Sequence, residues 1–182
     1  MEIRILDMIQ GLRTPVGDQV MCFITSLGNS GMIWIALGIL LLLIPRTRKS
    51  GLVVLAALAL DLILCNGILK HLFARVRPCD VNTAIQLLIP RPADYSFPSG
   101  HTAAAFAATS ALFFAGEKKL WKPALILAVL IAFSRLYLYV HYPTDILGGM
   151  LIGTACGYMG MWCVKYILRK RSGNCPYRRE GQ

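Results

Sequence analysis

Long apolar runs separated by short polar breaks dominate the chain. The clearest runs lie at residues 51–69, 120–139 and 143–164, and shorter ones lie at 32–44 and 102–115. A transmembrane helix needs roughly 20 mainly apolar residues to cross the hydrocarbon core of a bilayer. The pattern therefore predicts an all-α integral membrane protein, a bundle of about five to six transmembrane helices.

The N-terminal segment has a different pattern. Residues 3–12 place apolar side chains on one helical face and Arg4, Asp7 and Gln10 away from it, which is typical of an amphipathic helix at a membrane interface. Residues 16–27 would rise only about 18 Å as a helix, too little to cross the bilayer. We interpret this second segment as interfacial, or as the bent beginning of the next helix.

Composition indicates a single membrane domain. Hydrophobic residues make up 56% of the 182 residues and charged residues 15%, which is too apolar for an ordinary soluble domain. We divide the chain into an interfacial arm (1–28), a helix bundle (29–168) and a basic cytoplasmic tail (169–182). The six cysteines have no disulfide or zinc spacing.

The net charge of +10 is distributed in a way that argues against nucleic-acid binding. Basic residues gather at 46–49, at 118–122 and from 165 onwards. Alternating spans place these segments on one side, which the positive-inside rule makes the cytoplasm. The remaining cations of the bundle fall on the extracytoplasmic face: Lys70, Arg75, Arg77, Arg91 and Arg135. Because the rule disfavours that face, we expect these cations to have a function.

A polar turn, Pro98-Ser99-Gly100-His101, precedes a run of small residues. Ser99 is a suitable N-cap residue, and the free backbone N–H groups of the helix that follows attract anions. His101 adds a proton donor or acceptor beside them. The turn therefore predicts an anion site, to which the extracytoplasmic cations bring charge.

Three segments on this face together resemble the signature of the type 2 phosphatidic acid phosphatase family. Residues 70–78 read Lys, six residues, Arg-Pro; residues 98–101 read Pro-Ser-Gly-His; residues 134–145 read Ser-Arg, five residues, His, three residues, Asp. All eleven specified identities are present. The resemblance implies a membrane lipid phosphatase. Phosphoryl transfer needs fixed positive charge around the phosphate, and these segments supply it.

The resemblance also implies a role for each matching residue. It makes His141 the nucleophile that forms a phosphohistidine, His101 the acid that protonates the leaving oxygen and later activates water, and Asp145 the group that orients His141. The other matches are expected to bind the substrate phosphate: Lys70, Arg77, Ser99, Gly100 and Arg135. We expect neither a cofactor nor a metal ion, since the histidines lie far apart in sequence and lack the carboxylate spacing of a two-metal site.

Further polar residues lie around these segments. Asn66 precedes Lys70 by one helical turn and is a candidate for orienting that lysine, as a second-layer residue. Asp61 would lie on the opposite face of a regular helix from Lys70, and we interpret it as an interhelical hydrogen-bonding group. For Arg75 and Arg91 we favour contacts with lipid head groups, with assistance to phosphate binding as the alternative.

Glycines continue the spacing of His141 and Asp145 along the last span. Gly149, Gly153 and Gly157 follow at four-residue steps, and glycines at that spacing allow helices in lipid to approach closely. We expect this stripe to pack against the alanine-rich helix after His101 and to fix the separation of the two histidines.

The sequence therefore predicts metal-independent hydrolysis of a lipid phosphate or diphosphate at the extracytoplasmic face of a cell membrane. The partners are a lipid phosphate substrate and membrane lipids, with no nucleic acid. The resemblance to small bacterial members favours undecaprenyl diphosphate, and phosphatidic acid or phosphatidylglycerol phosphate is the alternative, because the motifs contact the phosphate and not the tail. Two other classes stay open: a vanadate-dependent haloperoxidase, whose family has a similar anion pocket, and a non-catalytic lipid-binding protein.

Overall fold

A computed structural model describes residues 1–173 as helices joined by turns and one longer loop, with no strand among them. Helix makes up 75% of the structure. The α-helices are α1 (Glu2–Gln10), α2 (Pro15–Leu27), α3 (Met32–Leu43), α4 (Arg48–Asp61), α5 (Lys70–Phe73), α6 (Pro78–Val81), α7 (Gly100–Phe114), α8 (Trp121–Tyr137) and α9 (Pro143–Gly173). A 3₁₀ turn (Asn29–Gly31) links α2 to α3, and a π-helical segment (Leu62–Leu69) links α4 to α5. The C-terminal part of the predicted tail, residues 174–182, lies outside the described residues.

The prediction of an all-helical membrane protein is confirmed. Within residues 1–173, Arg48–Val81 and Pro143–Lys170 are long and apolar enough to cross a membrane, and the pair Pro15–Leu27 and Asn29–Leu43, bent by 44°, makes a third candidate. Helices α7 and α8 have 15 and 17 residues. At about 1.5 Å a residue they are shorter than a ~30 Å core. The larger number of spans predicted from sequence stays a prediction.

Helix α7 is the centre of the bundle. It packs against α9, α8 and α4, while α3 packs against α4. The main apolar core joins these helices through fully buried side chains that include Trp34, Val54, Leu112 and Ile131. Because α8 ends where α7 and α9 begin, this packing brings the polar ends of the three helices together at one end of the bundle.

The predicted glycine stripe is confirmed. A methyl group added at Gly149 would lie 2.8 Å from the Ser99 carbonyl oxygen, and one at Gly153 or Gly157 would collide with the backbone or a side chain of α7. The stripe therefore allows α9 to lie directly on the backbone of α7, and it sets the spacing between the helix starts that carry the polar site.

One expectation about the second span is wrong. The regular helix ends at Asp61, and Leu62–Leu69 continues as a π-helix with more residues per turn. That wider turn rotates Lys70 relative to Asp61, so both residues line the same cavity instead of opposite faces. Asp61 makes no hydrogen bond within the described residues, and its Oδ1 is buried without a partner. The interhelical hydrogen bond predicted for it is not formed.

Candidate active site

The three signature segments meet at one end of the bundle. Lys70 begins α5, Arg77 directly precedes α6, Ser99 directly precedes α7, Arg135 lies in the last turn of α8, and Asp145 lies in the first turn of α9. His141 lies in the short connection between α8 and α9. All six side chains belong to buried residues. Buried charges and imidazoles are costly unless they are paired or functional, so this cluster is the candidate active site.

The contact with Arg77 fixes the tautomer of the His141 ring. Its Nε2 lies 3.2 Å from Nη1 of Arg77. A guanidinium only donates hydrogen bonds, so this contact assigns the lone pair to Nε2 and the proton to Nδ1. Burial lowers the pKa of His141 well below its ordinary value, and the nearby charges of Arg77 and Arg135 lower it further. The imidazole is therefore neutral at neutral pH, which is the nucleophilic form.

Asp145 is held by several donors at once. Its Oδ2 lies 3.5 Å from Nδ1 of His141 and accepts hydrogen bonds from Ser96 Oγ and from the backbone N–H of Tyr142 at 2.8 Å. Its Oδ1 accepts from Nη1 of Arg75 at 2.6 Å. The carboxylate is fixed beside the imidazole, but the 3.5 Å gap is too long for a good hydrogen bond in this state.

The contacts of Arg75 do not match its interpretation as a residue that binds lipid head groups. Besides Asp145, it donates to Thr144 Oγ1 at 2.7 Å and to Glu2 Oε2 at 2.6 Å, and its guanidinium lies over the Tyr142 ring. Its charge is used inside the protein because carboxylates of α1 and α9 flank it. Arg91 likewise pairs with Asp80 at 2.6 Å.

Lys70 and Arg77 share one carboxylate that sequence reasoning missed. Asp94 accepts from Lys70 Nζ and, at 2.6 Å, from Arg77 Nη2. Partial burial by itself would raise the pKa of Asp94, but the hydrogen bond and charge of Lys70, with those of Arg77, lower it to about 2. The signal in the sequence was an acidic residue close before the Pro-Ser-Gly-His turn, on the face where the unexplained cations lie.

Arg135 and Ser99 surround the same space from α8 and α7. Arg135 Nη1 donates to Thr25 Oγ1 at 2.6 Å, while its buried Nε has no partner in the part of the chain that the structure describes. Ser99 occupies the N-cap position, but its hydroxyl makes no capping bond. It instead accepts from Thr102 Oγ1 at 3.0 Å. The predicted side-chain cap is therefore wrong, and the side chain of Ser99 leaves the first N–H groups of α7 uncapped.

His101 contacts the 3₁₀ turn that links α2 to α3. Its Nε2 lies 3.0 Å from Asn29 Oδ1. Because an amide oxygen only accepts, this contact assigns the proton to Nε2. Nothing in the sequence indicated Asn29, since it lies outside the three signature segments.

Comparison with known proteins identifies the family. The profile of the PAP2 superfamily matches residues 50–169. The chain belongs to the PAP2 superfamily. It is 32% identical to an undecaprenyl-diphosphatase of Sulfolobus acidocaldarius over 78% of this chain and 68% of the relative. It is 33% identical to undecaprenyl-diphosphatase BcrC of Bacillus subtilis over 87% and 82%.

Solved structures agree with this assignment. The chain superposes on LpxE of Aquifex aeolicus with a TM-score of 0.75 and 30% identity, covering 88% of this chain and 94% of that one. It superposes on a PAP2-type phosphatidylglycerolphosphate phosphatase of Bacillus subtilis with a TM-score of 0.72 and 30% identity, covering 93% and 85%. This PAP2 protein is a membrane lipid phosphatase, as the signature segments predicted.

A cavity of about 600 Å³ extends from the polar cluster of this PAP2 phosphatase into the bundle. Lys70, Asp94 and His101 line it together with Asn66, and its other walls are mainly apolar side chains of α3, α4 and α7. Asn66 makes no hydrogen bond to Lys70 within the described residues. It packs instead beside Gly100, where an added methyl group would lie 2.9 Å from Asn66 Oδ1 and 3.7 Å from Lys70 Nζ.

Proposed function

We propose that this PAP2 phosphatase hydrolyses undecaprenyl or a similar polyprenyl diphosphate to the monophosphate and inorganic phosphate. The observation that carries the proposal is the contact of buried His141 with buried Arg77, which shares Asp94 with Lys70, where Lys70 and Asp94 line a mainly apolar cavity. The cations fit the phosphate groups, and the cavity fits part of a lipid tail. Relatives from two organisms are named undecaprenyl-diphosphatase.

The proposed reaction has two steps. In the first, Nε2 of His141 attacks the terminal phosphorus, a phosphorus–nitrogen bond forms, and the bond from phosphorus to the bridging oxygen breaks. His101, as an imidazolium that also carries a proton on Nδ1, gives its Nε2 proton to that oxygen and is left neutral, so polyprenyl monophosphate leaves. In the second, Nε2 of the neutral His101 takes a proton from water, the water oxygen bonds to the phosphorus of the phosphohistidine, and the phosphorus–nitrogen bond to His141 breaks. Inorganic phosphate leaves, and both histidines return to their starting forms.

Several groups stabilise charge during these steps. As phosphorus bonds to Nε2, the imidazole becomes positive, and Asp145 at 3.5 Å stabilises that charge by closing on Nδ1–H. Lys70, Arg77 and the unpartnered Nε of Arg135 offer donors to the phosphoryl oxygens. Ser99 and the N–H of Gly100 add neutral donors from the start of α7.

The reaction is placed at the extracytoplasmic face. The support is the distribution of charge along the chain, because the basic segments at 46–49 and 118–122 lie at the opposite ends of the helices that carry the site. By the positive-inside rule those segments and the basic tail face the cytoplasm.

Phosphatidylglycerol phosphate is the second candidate substrate. The structural likeness to the phosphatidylglycerolphosphate phosphatase of Bacillus subtilis favours it. The same cations would bind its terminal phosphate, and the difference would lie in how the cavity accepts two acyl chains instead of one polyprenyl chain.

Purified protein assayed on undecaprenyl diphosphate, phosphatidylglycerol phosphate and phosphatidic acid tests the proposal. The highest kcat/KM is expected for undecaprenyl diphosphate, and a higher value for either glycerolipid would transfer the assignment to that lipid. His141→Ala should lose activity by at least about 10³-fold and fail to retain ³²P after acid-free quenching, whereas His101→Ala should accumulate labelled protein. His71→Ala, a histidine outside the site, is the matched control and should retain activity.

A further inference from the structure

Asp94 occupies the donors that an incoming phosphate needs. The side chains of Lys70 and Arg77 are 7% and 3% exposed, whereas that of Asp94 is 53% exposed. Two buried cations are therefore paired with an acid that reaches in from the surface loop between α6 and α7. Its two carboxylate oxygens take one cation each.

The remaining donors of Arg77 are already used by the fold. Its Nε donates to the Asp94 backbone oxygen at 2.7 Å, and its Nη1 donates to the Val140 backbone oxygen at 2.7 Å and contacts His141. Only Nη2 of Arg77 and Nζ of Lys70 point to a side-chain anion, and both point to Asp94. A phosphate that binds these two cations must displace the carboxylate from them.

We infer that Asp94 is an internal competing anion, which sets the affinity of the site and keeps phosphodiester head groups out of it. This inference rests on the proposed phosphate site at Lys70 and Arg77. A carboxylate on the same chain competes with every ligand alike, so it raises the dissociation constant of all anions by the same factor. It does not change their order of affinity.

Such a competitor still decides which lipids occupy the site in a membrane. Phosphodiester lipids carry one negative charge on the phosphate and are abundant, while phosphomonoesters and diphosphates carry more charge and bind two cations more strongly. Raising all dissociation constants leaves the weakly bound diesters unbound and the diphosphate still bound. The depressed pKa of Asp94, about 2, keeps the competing charge present throughout the physiological pH range.

Inhibition constants measured on purified protein test the inference. The variants are Asp94→Asn and Asp94→Ala, and the matched control is Asp80→Asn, which removes the acid of the Asp80–Arg91 pair in the same part of the chain. The inhibitors are inorganic phosphate and dimethyl phosphate, a diester without a lipid tail. Both inhibition constants should fall on the order of tenfold in the Asp94 variants, the effect of removing one close charge pair, and stay unchanged in Asp80→Asn.

A second measurement uses vesicles. In phosphatidylglycerol-rich vesicles the Asp94 variants should lose turnover relative to vesicles of a neutral glycolipid without phosphate, whereas wild type and Asp80→Asn should not. Unchanged or raised inhibition constants would overturn the inference and make Asp94 a permanent support for Lys70 and Arg77. Failure of both Asp94 variants to fold would do the same. Absence of turnover of every lipid phosphate by wild-type protein would instead overturn the proposed function.

Discussion

At the scale of single residues, the candidate site contains a buried cation that has no ion-pair partner among the described residues. This cation is Arg135: within residues 1–173 its Nε has no acceptor, and its side chain donates a hydrogen bond to the neutral hydroxyl of Thr25. A buried charge without a counterion destabilises the folded protein. Such a group is retained where a ligand supplies the missing charge, and a phosphate oxygen would do so here.

Arg135→Met tests this balance between stability and binding. The variant should unfold at a higher temperature than wild type without ligand, since an unpaired buried donor costs about 1–3 kcal/mol. Inorganic phosphate should raise the unfolding temperature of wild type and leave that of the variant nearly unchanged. Differential scanning fluorimetry with and without phosphate measures both effects, and equal stabilisation of the two proteins by phosphate would show that Arg135 does not bind it.

At the scale of helices, a contact that depends on side-chain size could be predicted, whereas a change of helix type and a partner from a distant helix could not. The spacing of Gly149, Gly153 and Gly157 was enough to predict the contact of α9 with α7, because that contact depends on side-chain size alone. The placement of Asp61 could not be predicted, because the π-helical turns of Leu62–Leu69 leave no sign in the apolar pattern. The role of Arg75 depends on Glu2 of the distant α1, which spacing along the chain does not indicate.

Gly149→Leu should move the two histidines relative to each other. The new side chain would start 2.8 Å from the Ser99 carbonyl oxygen and 3.0 Å from Thr102 Cβ, so α9 must move away from the start of α7. Overpacking of this kind costs about 1–3 kcal/mol, and turnover should fall at the same time. Ala155→Leu, at an exposed position of α9, is the matched control for adding the same side chain. Turnover in Gly149→Leu equal to that of the control would contradict the argument.

Helix α1 holds the Asp145 region from the side. Glu2 accepts from Arg75 and from the backbone N–H and hydroxyl of Thr144 at 3.1 and 2.6 Å. Glu2→Gln should therefore loosen Asp145 and lower kcat by roughly tenfold, the lower end for groups that orient a catalytic partner, with little change in KM. Arg4→Gln on the same helix, at an exposed position, is the control. A change in KM alone would show that α1 contacts the substrate instead.

At the scale of the whole molecule, the convergence of the site followed from topology. Spans that alternate in direction place residues 70–78, 98–101 and 134–145 at one end, and the structure brings all three together. Topology could not predict the hydrogen-bond partners of the site residues. These partners are Asp94, Ser96 and Asn29, and they lie in irregular segments, whose geometry the apolar periodicity does not predict. The catalytic roles of the site residues stay predictions until variants are assayed.

The side of the membrane on which the site lies is the last prediction. In a cysteine-free background, the cysteine of Lys119→Cys, between α7 and α8, should react with a membrane-impermeant maleimide only after the cells are permeabilised. The cysteine of Ala84→Cys, in the loop between α6 and α7, should react in intact cells. Both positions are exposed in the structure. We expect this labelling pattern because lysines are concentrated at 118–122, and by the positive-inside rule such a basic loop faces the cytoplasm. The reverse labelling pattern would place Lys70, Arg77 and His141 at the cytoplasmic face, and hydrolysis would then occur on lipid phosphates of the inner leaflet.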